Sequence, residues 1–271
     1  MEKTVISGVE LELSPSTEFP ARWLGQEIVK RELLAAWLII DKEDIPLNPR
    51  LVGPPGIGKT TLAYAVAKEL GKEVWFYQAT MDTRPEDLIV TPVIEEGNKI
   101  KYVASPIVTA MIKGGVVIID EGNRMSEKAW ASLAPLLDHR RYVESQIAGI
   151  TIKAHPEFRL AVTMNEDTST YDVPEFILSR LRPVIELTFP SEDEEREILR
   201  YHVPIAPEKL IDAVVKFLQK AHQNEYPYTV RGGIQILRYC LKLSKLKGTD
   251  PLLEFPQAVL SVLGDEAYRL L

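Results

Sequence analysis

The chain has 271 residues, 45% of them apolar and 26% charged, with a formal net charge of −7. That length supports one large domain or a domain with a smaller companion, and the acidic balance argues against holding DNA or RNA by general phosphate neutralisation, which needs a basic face. A single cysteine, Cys240, excludes a disulfide framework and a cysteine-rich metal site, and the longest apolar run, Leu33 to Ile40, falls far short of the ~20 residues that span a bilayer.

The opening segment MEKTVISGVELELSP carries acids and no signal-type apolar core, so a soluble cytoplasmic protein is expected, with no membrane partner. In chain order, Glu27 to Asp41, rich in Leu, Ala and Trp, predicts a helix. A short apolar stretch then runs into Gly53, and Pro49 just upstream is expected to shorten that strand or bulge it. Lys59 to Leu70 predicts a helix stopped by Gly71, and Val74 to Tyr77 a buried strand. Val116 to Ile119, four β-branched residues in a row, predicts a parallel strand covered on both faces. Leu160 to Val162 and Val184 to Leu187 predict two more. Two β-hairpins are expected between these strands, one over about 91–103 with Glu95-Glu96-Gly97-Asn98 as its turn, the other over about 141–153, turning near Ala148-Gly149.

From Ser191 onward the character is helical, over 191–201, 207–224, 231–247 and 255–270, punctuated by prolines and Gly248. Phe189-Pro190 is the expected linker, since the residue before a proline resists the helical region. The expectation is an α/β domain over 1–189 and an all-α domain over 190–271.

The strongest motif is Gly53-Pro54-Pro55-Gly56-Ile57-Gly58-Lys59-Thr60, a full G-x-x-x-x-G-K-[ST], followed by Thr61. Its glycines let backbone N–H groups point inward at phosphate oxygens, and the following helix aims its positive end at the same anion. Lys59 supplies a point charge for the β- and γ-phosphates, and the Thr60 hydroxyl is a ligand for Mg²⁺. The cofactors expected are therefore ATP and Mg²⁺. About sixty residues on, the strand Val116–Ile119 ends in Asp120-Glu121. Two acids at the carboxyl edge of a sheet lie where open α/β folds bind ligands. Asp120 is suited to hold the metal, and Glu121 to polarise the water that attacks the γ-phosphate.

The phosphate loop, this acidic strand end and the following Gly122-Asn123-Arg124 resemble an AAA+ ATPase, in particular its MoxR-like branch. The resemblance runs from about residue 18 to the end of the chain. It implies an AAA+ core, a P-loop parallel sheet flanked by helices, with a C-terminal helical lid. Gly25-Gln26 stands where the family places a nucleotide-base contact. Arg84-Pro85-Glu86-Asp87-Leu88 and the first hairpin resemble the family's second-helix insertion, which Ser105-Pro106 closes. By the same resemblance Asn165 is the sensor that orients the lytic water, Arg180 the arginine finger (with Arg182 as its competitor) and Arg231 the lid's nucleotide sensor. Gln78 is a candidate hydrogen-bond partner for Glu121. Three positions depart from the family pattern: Val90 for a glycine, Ser105 for the glycine of Gly-Pro, and Gly122 for an apolar residue.

His139, His155, His202 and His222 show no ligand spacing, so no zinc site is expected. Ser191 followed by Glu192-Asp193-Glu194-Glu195 reads as a capped, acidic helix start. Lys242, Lys245 and Lys247 read as a solvated helix face. The reading is Mg²⁺-dependent ATP hydrolysis in a ring, hexameric by preference, that remodels or matures an unidentified client protein. Rivals are a nucleic-acid motor or loader using Lys99, Lys101, Tyr102, Arg141, Tyr142 and Lys153, a nucleotide-gated scaffold with little turnover, and a guanine-nucleotide enzyme.

Overall fold

The computed structural model describes residues 2–95, 99–165 and 172–271; most of the expected first-hairpin turn, Glu96-Gly97-Asn98, lies outside the described residues. The chain divides into two compact units. One comprises Met1–Trp23, Ile28–Gly53 and Lys59–Glu186, the other Leu24–Glu27, Pro54–Gly58 and Leu187–Leu271.

In the first unit β1 (Lys3–Ile6) and β2 (Val9–Glu12) form an antiparallel pair, followed by α1 (Glu27–Trp37), β3 (Arg50–Gly53), α2 (Lys59–Glu69) and β4 (Val74–Gln78). β5 (Val90–Glu95) and β6 (Lys99–Ala104) pair antiparallel, and α3 (Pro106–Lys113) leads into β7 (Val116–Asp120). After α4 (Glu127–Leu133) come the antiparallel β8 (Tyr142–Ser145) and β9 (Ile150–Lys153), then β10 (Arg159–Asn165), α5 (Glu175–Leu178) and β11 (Val184–Glu186).

The central sheet has the order β11-β3-β10-β7-β4, and every neighbouring pair is parallel. Its register sets the site. Gln78 lies opposite Asp120, and Asn165 opposite Gly53, so the carboxyl ends of four strands come level along one edge. β7 explains the arrangement from below: Val116, Val117, Ile118 and Ile119 are wholly buried, which only a strand covered on both faces allows. A second sheet, β1-β2-β6-β5, is mixed, with β2 and β6 parallel.

Each fully buried tryptophan of this unit has a carbonyl for its N–H, as burial of a polar group requires. Trp37 donates to Leu160, Trp75 to Ser14 and Trp130 to Gly122. Ser105, an apparent departure from the family pattern, caps α3. Its hydroxyl accepts from the Val108 N–H and donates to the Leu88 carbonyl.

Three elements differ from the sequence expectation. α1 stops at Trp37, not Asp41, because the Asp41 and Asp44 carboxylates bond the N–H groups of Glu43, Asp44 and Ile40 and hold a turn that competes with the helix. Leu38 and Ile40 are consequently exposed. The last helix breaks at Gly264, whose φ of 88° no continuous helix can hold. Finally, β1 and β2 turn the acidic N-terminal segment into half of the second sheet.

The second unit is built on α6 (Glu192–His202), α7 (Glu208–Gln223), α8 (Val230–Lys247), α9 (Phe255–Leu263) and α10 (Asp265–Tyr268). Ser191 and Glu194 form a reciprocal capping box at the start of α6. Leu199, Leu210, Val214, Leu218, Ile236, Leu237 and Cys240 share its core, and burial pushes the Cys240 thiol up to about 12.

Glu195 is fully buried in the same unit. One oxygen accepts from Gln219 at 2.9 Å; the other has no hydrogen-bond partner among the described residues and lies 4.0 Å from His222, whose own basicity burial lowers. Burial, aided by the nearby Glu192 charge and opposed by Gln219, pushes the Glu195 carboxyl up to about 7. Its folded value exceeds its unfolded one, so the folded protein keeps a proton between about pH 4.5 and 7 that the unfolded chain releases. This contribution to stability falls as pH rises through that window and stays low above it. Glu195→Gln is therefore expected to be more stable than the parent at pH 8, by roughly 2–3 kcal/mol, with the gap closing near pH 4.5. Chemical denaturation at the two pH values checks this.

Candidate nucleotide site

The phosphate loop leaves β3 at Gly53 and enters α2 at Lys59. Gly56 and Gly58 have φ of 83° and 107°, conformations that an L side chain resists, so the loop's curvature depends on glycine there. Lys59 is buried, and its ammonium donates to the Gly53 carbonyl at 2.7 Å.

Thr60, one residue into α2, donates its hydroxyl to Asp120 Oδ1 at 2.8 Å. Thr163, in β10, donates to the same carboxylate oxygen, and its own oxygen accepts the Glu121 N–H at 3.0 Å. Thr163 thus ties the ends of β7 and β10 together. Glu121 itself adopts φ 55° and ψ 43°, the left-handed region that a glutamate enters only when its surroundings over-determine it. That turn carries the side chain off the line of β7, where Asn165 donates to Oε1 at 3.1 Å, Arg124 to Oε2 at 2.7 Å and Gln78 to Oε2 at 3.3 Å.

Gly122 follows from the same geometry. A Cβ there would lie 2.4 Å from Val162 Cγ1 and 3.1 Å from the Trp130 ring, so the apolar residue of the family pattern has no room. The neighbouring Asn123 donates to the Asn165 carbonyl at 2.8 Å and steadies the end of β10.

The first unit therefore brings Lys59, Thr60, Asp120, Glu121 and Asn165 to one sheet edge. Arg180 stands apart: its guanidinium bonds Asp138 Oδ2 at 3.4 Å and the Phe176 carbonyl at 2.5 Å. Arg182 is exposed. In the second unit, Gly56 packs against the start of α8; a Cβ on it would meet Thr229 Oγ1 at 2.8 Å and Arg231 Cβ at 3.2 Å. Gln26 uses its N–H on Glu194 at 2.6 Å and its side-chain amide on the Thr188 carbonyl at 2.8 Å, which directs it to the polypeptide.

Sequence reasoning overlooks Thr163 and assigns no role to Arg124 or Asn123. A threonine inside an apolar strand, Leu160-Ala161-Val162-Thr163-Met164, is the available signal: a buried hydroxyl needs partners, and here they are the two acids.

A full phosphate loop between strand and helix, with two acids ending a buried parallel strand, defines the P-loop nucleotide hydrolases. A family model for the AAA domain of the dynein-related subfamily matches residues 50–181. An uncharacterized protein of Staphylococcus epidermidis is 27% identical over 210 residues, covering 76% of this chain and 80% of its own. One of Staphylococcus aureus is 28% identical over 179 residues, 64% of this chain and 68% of its own. Among solved structures, the Thermotoga maritima RuvB Holliday junction branch migration motor superposes with a TM-score of 0.60 at 20% identity, covering 87% of this chain and 70% of that one. The chain has the AAA+ fold of a helix-flanked parallel sheet followed by a helical lid, and its residues 50–181 match the AAA domain model.

Thr60 and Asp120 present one hydroxyl and one carboxylate, hard oxygen donors 2.8 Å apart. No group of three or more His, Cys, Asp or Glu side chains able to hold a metal occurs among the described residues. The Thr60 and Asp120 oxygens suit Mg²⁺, which keeps several waters and is held by one or two protein oxygens plus phosphate. Among the described residues, no helix is long and apolar enough to cross a membrane.

Proposed function

We propose that this chain is a MoxR-like AAA+ ATPase that hydrolyses ATP with Mg²⁺ in a homo-oligomeric ring, six subunits by preference, and uses the cycle to remodel or mature partner protein complexes. One observation carries the reading: a carboxylate, Glu121, held in left-handed backbone and oriented by the Asn165 amide at the edge that also carries Lys59, Thr60 and Asp120.

In this reading the loop amides and Lys59 bind the β- and γ-phosphates. A water between Glu121 and Asn165 attacks the γ-phosphorus in line, its proton passes to the Glu121 carboxylate, and ADP leaves with the bridging oxygen. Thr60 and Asp120 would hold Mg²⁺, which neutralises charge on the β- and γ-oxygens when bound. Arg231, beside Gly56 at the start of α8, supplies a further cation, and Arg180 serves a neighbouring subunit.

The nucleic-acid alternative has the RuvB likeness behind it, but two of the hairpin cations it needs are engaged within the chain. Lys101 pairs with Glu12 at 2.7 Å, and Arg141 is buried with its guanidinium on the Phe158 carbonyl. The deciding experiment measures phosphate release against protein concentration, with and without Mg²⁺, with GTP in place of ATP, and with a single-stranded oligonucleotide added. Expected are an Mg²⁺-dependent rate that rises more than linearly with protein, prefers ATP and ignores the oligonucleotide. A rate proportional to protein would argue against a shared-site ring, and stimulation by the oligonucleotide would favour the motor.

A further inference from the structure

The helix α8 has the sequence VRGGIQILRYCLKLSKLK, five cations and no acid, and no acid occurs anywhere from residue 226 to 249. Its burial pattern separates two faces. Gly232, Gly233, Ile236, Leu237 and Cys240 are buried, whereas Gln235, Arg238, Lys242 and Lys245 are exposed. At 100° per residue those four fall within an arc of about 80°, and they extend about 15 Å along the helix. Lys247, grouped with them on sequence, leaves the row to pair with Glu254 at 2.6 Å. Arg238 takes its place. Among the described residues, Arg238, Lys242 and Lys245 are in no ion pair, although surface cations elsewhere in this unit, Arg196 and Arg200, are paired.

This row borders a groove of about 440 Å³ lined by Gln235, Arg238, Tyr239 and Lys242 on α8 and by Ser261 and Val262 on α9. α9, FPQAVLSVL, carries no charge at all. One wall is therefore cationic and the other neutral and partly apolar, and Leu246, 84% exposed, continues the apolar character past the end of the row.

We propose that the α8–α9 groove docks an acidic amphipathic helix of a partner protein, with Arg238, Lys242 and Lys245 reading its carboxylates and Val262, Tyr239 and Leu246 contacting its apolar flank. Charge complementarity selects the sign of the partner. Helical geometry selects its form: cations three and four residues apart meet acids that recur at the same intervals on a facing helix. The mixed lining favours protein over nucleic acid, because single strands are held by stacked aromatic platforms and Tyr239 is the one aromatic in this lining. The groove contains none of the residues assigned to nucleotide chemistry, so the inference stands whether or not ATP is turned over.

The test is fluorescence anisotropy on the full chain without nucleotide. Its probe is a labelled helical peptide with glutamates at i, i+4, i+7 and i+11 and leucines beside them. Controls are the same peptide with lysine for glutamate and a labelled 20-nucleotide thymidine strand. Expected is binding of the acidic peptide that weakens with salt, falls at least tenfold in Arg238→Glu/Lys242→Glu/Lys245→Glu, and falls by an intermediate amount in the glutamine triple variant. ATP hydrolysis and the melting temperature of the variants should match the parent. No binding of the acidic peptide, binding unmoved by charge reversal, or binding of the thymidine strand in preference to the peptide would overturn the proposal.

Discussion

Glu121→Gln is expected to lower steady-state ATP turnover by ~10²–10⁴-fold, the usual contribution of a positioned general base, while ATP affinity stays within about twofold. The geometry explains the split. Glutamine preserves the size of the side chain and one acceptor oxygen, so the 3.1 Å contact from Asn165 and the 3.0 Å backbone bond to Thr163 can both persist. What disappears is the group that, in the proposed reading, takes the proton from water. In the proposed reading phosphate binding relies on Lys59 and the loop amides, whereas the Glu121 carboxylate is bonded by Asn165, Arg124 and Gln78. Phosphate release and the affinity for a fluorescent ATP analogue, measured on the same preparation, check both halves. Unchanged turnover would leave Glu121 as no more than the ion-pair partner of Arg124.

The particulars of the site show which physical signals a sequence carries. The buried strand Val116–Ile119 is legible because four consecutive β-branched residues have no exposed face to offer, and the structure leaves none of them exposed. The parallel sheet is legible for the same reason. The Asp120 and Glu121 pair is legible as two acids at a strand end, but their different treatment is not. Asp120 continues the strand, while Glu121 turns left-handed with its N–H on Thr163, and that depends on β10 lying beside β7. Register between distant strands is a tertiary fact. It also hides the N-terminal pair β1 and β2, because Leu11 and Leu13 find their burial only in the core that β6 and α3 help to build. The overrun of α1 has a local cause instead. Leu38, Ile39 and Ile40 continue the apolar run of the helix by hydropathy, yet two aspartates just beyond them bond backbone N–H groups and favour a turn.

Arg180→Ala is expected to reduce turnover by ~10³–10⁵-fold, and mixing it with Glu121→Gln is expected to restore a substantial part of the activity. In the proposed ring each variant alone lacks one half of the chemistry. In a mixed ring, a subunit carrying Arg180→Ala retains its own Glu121 and can receive Arg180 from a neighbour that carries Glu121→Gln. The partners of Arg180 within its own chain motivate the trans assignment. It is held by Asp138 and the Phe176 carbonyl, its side chain is about a third exposed, and neither contact reaches Lys59, Asp120 or Glu121. Asp138 holds Arg180 at 3.4 Å and shares its carboxylate with Arg140. The Arg140 guanidinium first, and Arg180 with it, hold its carboxyl far below the usual range, so it stays charged at any physiological pH. For a trans finger, contacts of this kind restrict the side chain before a neighbour arrives, which reduces the ordering cost of completing the site. Rates of the two single variants, their mixture and Arg182→Ala, each followed against total protein, separate the possibilities. Activity indifferent to Arg180 but lost with Arg182 would move the finger two residues along the chain. Loss with Arg180 that mixing fails to restore would place its action within its own subunit, and a ring would then have to be justified on other grounds.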